Sequence, residues 1–532
     1  MRIDKVHIKN FKNLIDFEID LNEDSMETVL LGKNAMGKSN FIEALIVIFK
    51  NLDLNENPPF EYKIWYQIKK RYLNVNFENG KYEFNTIAKN IKLGEKTLDL
   101  VSPGMTRTEF QKQKNELLPK YVFTYYSGIS NKLKDHFDDH QRRFYDRAKK
   151  QGIGKSDVDD LRRLFYAQLI HSYFVLLAYF SFKQDNVKSK AFLKDVLNIE
   201  DLDSVLFVLH RPAWKGIGDA RFWGATGLVE EFLKSLWDHS LAPIRHEESI
   251  KIDFRRKTKK ELLYLFIRNK DFLQQLASNY KSNTDFFKAL ESTYISDLME
   301  EVRVRVKKVD VKDKILFRDL SEGEQQLLTV LGLLRFTKDD ESLILLDEPD
   351  THLNPLWKWK YREYLNDVVD RPESTQIIIN THDPLVIGSM TKEEVRVFTY
   401  DSEEKKVKAV QPEVDPKGLG VAGILTSELF GLSTTLDEQT QKDLQRKREL
   451  QLKLKEGKIS SQEKEELQKL EKDLEDLGFS KYQRDPLYQK FIEACIKSDA
   501  LQKPALTKQE RKAQDEVMAD ILNDILKTEG AS

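Results

Sequence analysis

Cysteine is almost absent from this sequence of 532 residues, which contains only Cys495. A single cysteine excludes an internal disulfide framework and a zinc site built from several thiolates. The first residues, Met1-Arg-Ile-Asp-Lys5, also lack the apolar core of a secretory signal peptide, so we expect a cytoplasmic protein. A chain of this length exceeds the size that one hydrophobic core usually serves, which predicts two or three subdomains.

The sequence also lacks an excess of charge of either sign. It has 86 Lys and Arg residues against 88 Asp and Glu residues, a net charge of −2. Because a total this close to zero gives no global attraction to nucleic acid, binding of DNA or RNA would need a local patch. Two basic runs, Arg255–Lys260 and Val302–Lys308, are candidates for such a patch, with ordinary solvated surface as the alternative.

Long apolar runs are rare, and one of them, Leu164–Phe182, has the length needed to cross a bilayer. Gln168, His171 and Ser172 interrupt it with polar groups. We therefore expect a buried helix of a globular domain, and we predict no membrane partner.

A phosphate-binding motif, Gly32-Lys-Asn-Ala-Met-Gly-Lys-Ser39, lies between a predicted strand and a predicted helix. Its glycines permit backbone torsions that let consecutive N–H groups approach phosphate at the helix N-terminus. Lys38 is expected to reach the β- and γ-phosphates, and the Ser39 hydroxyl to ligate Mg²⁺. The motif predicts an ATP and Mg²⁺ site whose nucleotide contacts come from Gly32, Asn34, Gly37, Lys38, Ser39 and Asn40.

Two later strands are predicted to end in catalytic groups. Leu343–Leu346 is an aliphatic run typical of a central parallel strand, and Asp347 and Glu348 follow it directly. We assign Asp347 to the metal and Glu348 to the attacking water. The run Gln376–Asn380 leads to His382, which we expect at the carboxyl end of a strand as a sensor of the γ-phosphate. An ordinary hydrogen-bonded histidine is the alternative for His382.

The order of these motifs, with Leu320-Ser-Glu-Gly-Glu-Gln-Gln326 between them, resembles the ABC-type ATPases of the SMC, RecF and overcoming-lysogenisation-defect group. The opening segment Met1–Leu14 is also similar to the first strand of those proteins. The resemblance implies an α/β fold, with an ABC-type P-loop ATPase head, an inserted helical lobe and a carboxyl-terminal α-helical region. It further implies that ATP is bound between two copies of the chain. Ser321 and Gly323 would then contact the γ-phosphate held by the opposite protomer.

Within this resemblance, Asp350–Asn354 matches the loop that crosses the dimer seam. Two positions depart from the family pattern: Ala35 stands where many relatives have glycine, and Glu322 replaces the first glycine of the signature. Neither change removes a catalytic group. The motifs did not locate the glutamine that contacts Mg²⁺ in such ATPases.

A narrower resemblance lies beyond the ATPase motifs. Gly418–Leu432 and Arg484–Tyr488 are similar to the carboxyl-terminal region of bacterial defence ATPases of the Septu type, which work beside a separate HNH nuclease. This resemblance implies a homo-oligomeric ATPase that controls a partner nuclease in anti-phage defence.

Three other functions are alternatives to this hypothesis. A RecF- or SMC-like ATPase that clamps DNA without a nuclease partner is the main alternative. A self-contained nuclease with a Toprim domain is disfavoured, because no suitable Glu-Gly followed by Asp-x-Asp occurs beyond residue 400. A transporter ATPase is disfavoured by the large insertion and the lack of a coupled membrane segment.

We predict four parts: 1–130 as the first half of the ATPase head, 131–300 as a mostly helical inserted lobe, 301–415 as the second half of the head, and 416–532 as a helical interaction region. No sustained heptad occurs in the insertion, which argues against a long coiled coil. Inside it we predict a strand at Val205–Leu209 and helices at Leu228–Trp237 and Glu261–Asn269.

The segment Tyr125–Gly128 precedes the insertion, and we expect it either to approach the nucleotide or to form a plain hinge.

Two smaller features complete the predictions. Gly457 and Ser460-x-x-Glu463 separate two amphipathic segments, which predicts a helical hairpin that docks either a partner subunit or its own domain. His136 and His140 have the spacing of metal ligands on one helical face. Because no third ligand is visible in the sequence, we interpret both as surface residues.

Overall fold

The computed structural model describes residues 1–22, 25–87, 104–148, 163–182, 192–251, 254–309, 311–337, 341–368, 374–477, 491, 494, 495, 497–501 and 508–529. These residues form two compact units. The first comprises Met1–Val386 with Phe398–Val410, and the second comprises Ile387–Val397 with Gln411–Ser532. The Arg484–Tyr488 segment of the Septu resemblance lies outside the described residues.

The strands of the described chain are, in order, β1 Arg2–Phe11, β2 Leu14–Asp20, β3 Glu27–Gly32, β4 Tyr62–Ile68, β5 Arg71–Glu78, β6 Lys81–Ile87, β7 Val122–Tyr126, β8 Leu164–Tyr166, β9 Ile199–His210, β10 Leu241–Lys251, β11 Lys257–Ile267, β12 Met299–Lys308, β13 Ile315–Leu316, β14 Ser342–Asp347, β15 Thr375–Asn380, β16 Val395–Asp401 and β17 Lys406–Val410.

The α-helices that the structure describes are Lys38–Leu54, Arg107–Lys112, Lys114–Leu117, Asp138–Ala148, Ile170–Ser181, Gly227–His239, Lys270–Ala277, Asn283–Ile295, Glu322–Thr337, Pro355–Trp359, Tyr361–Val368, Pro384–Ile387, Gly420–Thr426, Glu438–Lys455, Ser461–Asp476 and Lys508–Glu529. With the strands they give the α/β class that the sequence predicted. The predicted helical carboxyl-terminal region is also present.

A seven-stranded sheet in the order β17-β16-β3-β15-β14-β7-β8 joins both predicted halves of the ATPase head. The pairs β3–β15, β15–β14, β14–β7 and β7–β8 are all parallel. Every residue of β14 and of β15 is buried, as expected for central strands covered on both faces. Because parallel strands end at the same edge of a sheet, the residues that follow β3, β7, β14 and β15 converge there.

The helix Lys38–Leu54 packs into the main hydrophobic core of the first unit. This core includes Phe41, Leu45 and Phe49 of the helix, together with residues of an antiparallel sheet in the order β2-β1-β4-β5-β6. Phe49 makes an edge-to-face contact with Tyr66 of β4, with ring centroids 5.9 Å apart. The core therefore fixes the helix that follows the phosphate-binding loop.

The inserted region contains a five-stranded sheet, in the order β10-β11-β9-β12-β13, as well as helices. The predicted strand within β9 and the predicted helix within Gly227–His239 are present. The predicted helix Glu261–Asn269 is wrong, because residues up to Ile267 belong to β11. Leu263, Leu265 and Ile267 lie on the buried side of that strand, at a spacing of two residues. The neighbouring leucines made this spacing difficult to recognise in the sequence.

The apolar run Leu164–Phe182 is not one continuous helix. Its first residues form β8, which pairs in parallel with β7, and Ile170–Ser181 forms a largely buried helix. Burial was therefore predicted correctly, whereas the start of the helix was not. Among the residues that the structure describes, we find no helix with the length and apolarity needed to cross a bilayer.

The predicted helical hairpin is confirmed as Glu438–Lys455 and Ser461–Asp476. Arg446 binds Glu466 through two hydrogen bonds of 2.8 and 2.9 Å, and the buried Leu450, Leu467 and Leu474 supply apolar surface. Gly457 has φ +68°, the left-handed conformation that ends the first helix.

The interpretation of His136 and His140 as surface residues is wrong for His140. Its side chain is buried, and its Nε2 lies 2.9 Å from Asp53 Oδ2 at the end of the phosphate-binding helix. Arg163 Nε donates to the other oxygen of Asp53 at 3.1 Å. His136 lies 3.1 Å from Glu43. The two histidines thus hold neighbouring elements on this helix, and no cluster of three metal-ligating side chains occurs in the described part of the chain.

Candidate functional site

The phosphate-binding motif forms a tight loop between β3 and the helix Lys38–Leu54. Gly32 and Gly37 have φ values of +135° and +92°. A Cβ atom on Gly32 would lie 2.4 Å from the Phe398 carbonyl oxygen, and one on Gly37 would lie 2.7 Å from Leu14 Cδ2. Both positions therefore need glycine for space as well as for torsion. Ala35 also has a positive φ, +65°, which places the departure from the family pattern at a strained position.

The two asparagines predicted to touch nucleotide differ in their contacts. Asn34 is exposed on the loop. Asn40 donates to Asn13 Oδ1 at 2.7 Å, and Asn13 Nδ2 donates to the Ala35 carbonyl at 2.9 Å. Asn40 thus stabilises the phosphate-binding loop through Asn13.

The Lys38 ammonium group is folded back into the phosphate-binding loop. Its Nζ donates to the carbonyl oxygens of Gly32 at 2.7 Å and Lys33 at 3.1 Å. Burial lowers the pKa of Lys38 to about 8, against the opposing influence of the carboxylates of Glu348 and Asp347. A cation held this close to the loop amides is well placed to bind a polyphosphate.

Asp347 ends β14 directly beside Ser39. The Ser39 hydroxyl donates to Asp347 Oδ1 at 3.1 Å, and the Asn380 amide donates to the same oxygen. Burial raises the pKa of Asp347 above its ordinary value. Asp347 Oδ2 and Asn380 Oδ1 are buried oxygens without a hydrogen-bond partner among the described residues. Unsatisfied carboxylate and amide oxygens beside a serine hydroxyl suit a hard cation such as Mg²⁺.

Glu348 and His382 lie at the same sheet edge and face one another. His382 Nε2 is 3.4 Å from Glu348 Oε1, and both side chains are partly exposed. Glu348 has φ +54°, and its N–H donates to the Asn380 carbonyl at 2.8 Å. Burial lowers the pKa of His382, and the charge of Lys38 lowers it further, so the imidazole is neutral at pH 7. The carboxylate can therefore accept a proton from water while the imidazole contacts a phosphate oxygen.

The signature residues are engaged elsewhere in the same chain. The Ser321 hydroxyl donates to Glu324 Oε2 at 3.0 Å, and the Glu324 N–H points back to Ser321 Oγ at 3.3 Å. This capping box begins the helix Glu322–Thr337. A Cβ on Gly323 would lie 2.5 Å from the His352 carbonyl oxygen. Among the described residues, the structure gives Ser321 and Gly323 no contact with Lys38 or Ser39.

The loop Asp350–Asn354 connects the signature helix to the catalytic strands. The His352 N–H donates to Gln326 Oε1 at 3.0 Å, and the buried Asp350 accepts from the Thr381 hydroxyl at 2.9 Å. Burial raises the pKa of Asp350 to about 6. The loop therefore contacts the signature helix through Gln326 and the residue before His382 through Thr381.

Sequence reasoning missed two contributors to this site, Asn380 and Lys132. A third, Ser127, lies in the Tyr125–Gly128 segment, which is predicted either to approach the nucleotide or to form a plain hinge. Asn380 bonds Asp347, and its position at the end of β15, in register with Asp347, was a usable signal. Ser127 follows β7, where its N–H donates to the Asp347 carbonyl at 3.2 Å and its hydroxyl lies 3.1 Å from Thr351. The charge of Lys132 favours ionisation of Asp347. Lys132 is far in sequence from the other motifs, so no sequence pattern indicated its role.

The lowered pKa of Lys38 predicts that ATP affinity depends on pH. The ammonium must be protonated to attract phosphate, so affinity should stay level from pH 7 to 8 and fall by up to about tenfold per pH unit above it. Titration with a fluorescent ATP analogue between pH 7 and 9.5 measures this profile. Lys38→Arg keeps its charge throughout, and its affinity should remain level. A wild-type profile as flat as that of the arginine variant would contradict the prediction.

Comparison with known proteins supplies relatives for this arrangement. The chain is 26% identical over 179 residues to Septu protein PtuA of Bacillus mycoides (strain KBAB4), covering 31% of this chain and 24% of the relative. It is 24% identical over 206 residues to the retron Vc95 probable ATPase of Vibrio cholerae serotype O1 biovar El Tor, covering 32% and 38%. The chain thus spans between a quarter and two fifths of the length of these relatives. The first match confirms the resemblance to Septu-type ATPases.

Similar solved structures and a family model complete the comparison. An SMC head bound to the winged-helix domain of ScpA aligns with a TM-score of 0.32 at 12% identity, covering 77% of this chain and 98% of the other. The SMC head domain from Thermotoga maritima aligns with a TM-score of 0.30 at 12% identity, covering 78% and 100%. The model of the AAA ATPase domain matches residues 1–387, which is most of the chain, and the protein therefore belongs to the AAA ATPase domain family.

Proposed function

We propose that this protein is a homo-oligomeric ATPase switch that controls a partner HNH nuclease in anti-phage defence. The observation that supports it most is the convergence of Lys38, Ser39, Asp347, Glu348 and His382 at one edge of a parallel sheet. The matches to the Septu and retron ATPases support the defence setting.

In the proposed reaction, the loop amides and Lys38 bind the ATP phosphates and Glu348 orients the attacking water. Glu348 accepts a proton from that water as its oxygen attacks the γ-phosphorus, and ADP leaves. The imidazole of His382, whose Nε2 lies 3.4 Å from Glu348 Oε1, contacts the γ-phosphate.

Mg²⁺ would be held at this edge by Ser39 Oγ and Asp347, because Asp347 Oδ2 and Asn380 Oδ1 are buried there without a hydrogen-bond partner among the described residues. When bound, it would neutralise phosphate charge and so favour transfer of the phosphoryl group.

A second copy of the chain is proposed to supply further hydrogen-bond donors to the γ-phosphate. Ser321 and Gly323 contact neither Lys38 nor Ser39 within the described chain, and Ser321 is exposed at a helix N-terminus, where an anion is favoured. ATP would then join two protomers, and hydrolysis would remove the shared phosphate. The contacts of Asp350 and His352 would transmit that change within each protomer.

The defence role predicts that an HNH protein is encoded next to this chain, and co-expression of the chain with that protein tests the role. The two proteins should co-purify, and the pair should reduce phage plating by orders of magnitude, whereas either protein alone should not. Light scattering of the chain alone, with and without ATP, tests assembly separately. Failure to form a complex and an unchanged phage titre would contradict nuclease control. An ATP-independent mass would contradict the switch.

A further inference from the structure

The strands β10 and β11 form a ribbon that extends beyond the sheet of the inserted region. β9 pairs with β11 only from Leu262 to Ile267, whereas β10 and β11 continue together as far as the pair Lys251 and Lys257. Five residue pairs, from Glu247–Glu261 outward, therefore have no third strand among the described residues. At about 3.3 Å per residue, this ribbon projects roughly 17 Å.

The outer part of this ribbon concentrates positive charge. Residues 249–260 contain six Lys or Arg side chains and one Asp, a local net charge of +5 in a chain whose net charge is −2. The acidic Glu247, Glu248 and Glu261 are confined to its base. The ribbon therefore provides a local basic patch that can attract a polyanion, although the net charge of the whole chain gives no such attraction.

Two lysines on one strand of the ribbon are not used for internal structure. Lys257 and Lys259 are exposed, and neither forms an ion pair with a residue that the structure describes. Lys260, by contrast, is paired with Glu300 at 2.7 Å. Lys257 and Lys259 are therefore available to an external polyanion.

The tip of the ribbon adds an exposed aromatic ring. Phe254 is 84% exposed, and the Arg255 guanidinium lies over it with its carbon 4.8 Å from the ring centroid. A ring exposed among cations contributes nothing to the core, and in the major groove such a ring can contact the methyl group of thymine. The tip therefore presents both phosphate-binding and base-contacting chemistry.

We propose that this ribbon binds duplex DNA, with Lys257 and Lys259 on the phosphates. The major groove of B-form DNA admits a two-stranded ribbon, whereas the major groove of duplex RNA is too narrow for side chains to enter. An acidic protein would satisfy the charges, but it would give the ribbon no groove to enter. The proposal stands apart from the ATPase switch, since none of these residues belongs to the nucleotide site.

Fluorescence anisotropy with labelled DNA and RNA duplexes of one sequence, over a series of salt concentrations, tests this proposal on the full chain. The double variant K257Q/K259Q should raise the dissociation constant for DNA at least about tenfold near 0.1 M salt, and lower the salt slope by about two. A matched control is K70Q/R71Q, which removes the same charge from another exposed hairpin turn of the first unit and should bind as the wild type does.

Three results would overturn the proposal. The ribbon variant K257Q/K259Q and the control K70Q/R71Q could bind DNA equally, which would place the contact elsewhere. The wild type could fail to bind DNA at low salt. RNA duplex could bind as tightly as DNA, which would exclude recognition through the major groove. ATP hydrolysis by K257Q/K259Q should equal the wild-type rate without DNA, so a failed ribbon proposal is distinguishable from a failed ATPase.

Discussion

Glu348→Gln is expected to bind ATP with an affinity within about threefold of the wild type and to lose turnover by roughly 10²–10⁴-fold. The amide keeps the shape of the side chain but cannot accept a proton from water. Lys38, Ser39 and Asp347, which are proposed to bind the phosphates and the metal, are unchanged. Because hydrolysis no longer removes the γ-phosphate, the ATP-joined dimer should accumulate.

Two measurements check this expectation. Steady-state phosphate release gives the loss of turnover, and light scattering with ATP gives the increase in mass. Glu363→Gln is a matched control, because Glu363 is an exposed carboxylate on a helix of the same unit. It should hydrolyse ATP at the wild-type rate. Unchanged turnover in Glu348→Gln would refute the assignment of the catalytic carboxylate.

Ser321→Arg is expected to bind ATP but to lose both ATP-dependent assembly and hydrolysis. The long guanidinium side chain would occupy the space that the partner's γ-phosphate needs, and the hydroxyl donor would be gone. Turnover should therefore fall at least about 100-fold, as for removal of a donor to transition-state charge. Phosphate release and light scattering again report the result.

The sequence offers a close control for loss of the helix cap. Ser460 and Glu463 form the same capping box on the helix Ser461–Asp476, and Ser460 is equally exposed. Ser460→Arg removes that cap at a cost of about 1 kcal/mol, the same as Ser321→Arg. It should hydrolyse ATP normally. Equal losses in both variants would assign the effect to helix stability and contradict a role for Ser321 at the nucleotide.

The phosphate-binding loop and the central strands could be predicted because local chemistry determines them. Glycines at forced torsions, a run of buried aliphatic residues and the polar groups that end it all lie within short segments. The helical hairpin was predictable for the same reason, since Gly457 and the Ser460 capping box mark its turn. The strand β11 could not be predicted, because its leucines suit the period of a helix as well as that of a strand. Its partner β9 is also distant in sequence.

The missing parts of the site also depend on long-range pairing. Asn380 contacts Asp347 because β15 lies beside β14, and Ser127 reaches the Asp347 carbonyl because β7 lies on the other side. The end of a predicted strand marks Asn380, but no local pattern shows which strand lies beside it. His140 was misassigned for a similar reason, since its partner Asp53 is 87 residues away.

Mixing two inactive variants tests most directly whether ATP is shared between protomers. Lys38→Ala lacks a phosphate ligand, and Ser321→Arg lacks a signature serine, so each alone should be inactive. In a mixed dimer, one site combines an intact Lys38 with an intact Ser321. An equimolar mixture should therefore recover about a quarter of the wild-type turnover, since half of the dimers are mixed and each has one working site. No recovery, in a mixture shown by light scattering to exchange subunits, would contradict the account.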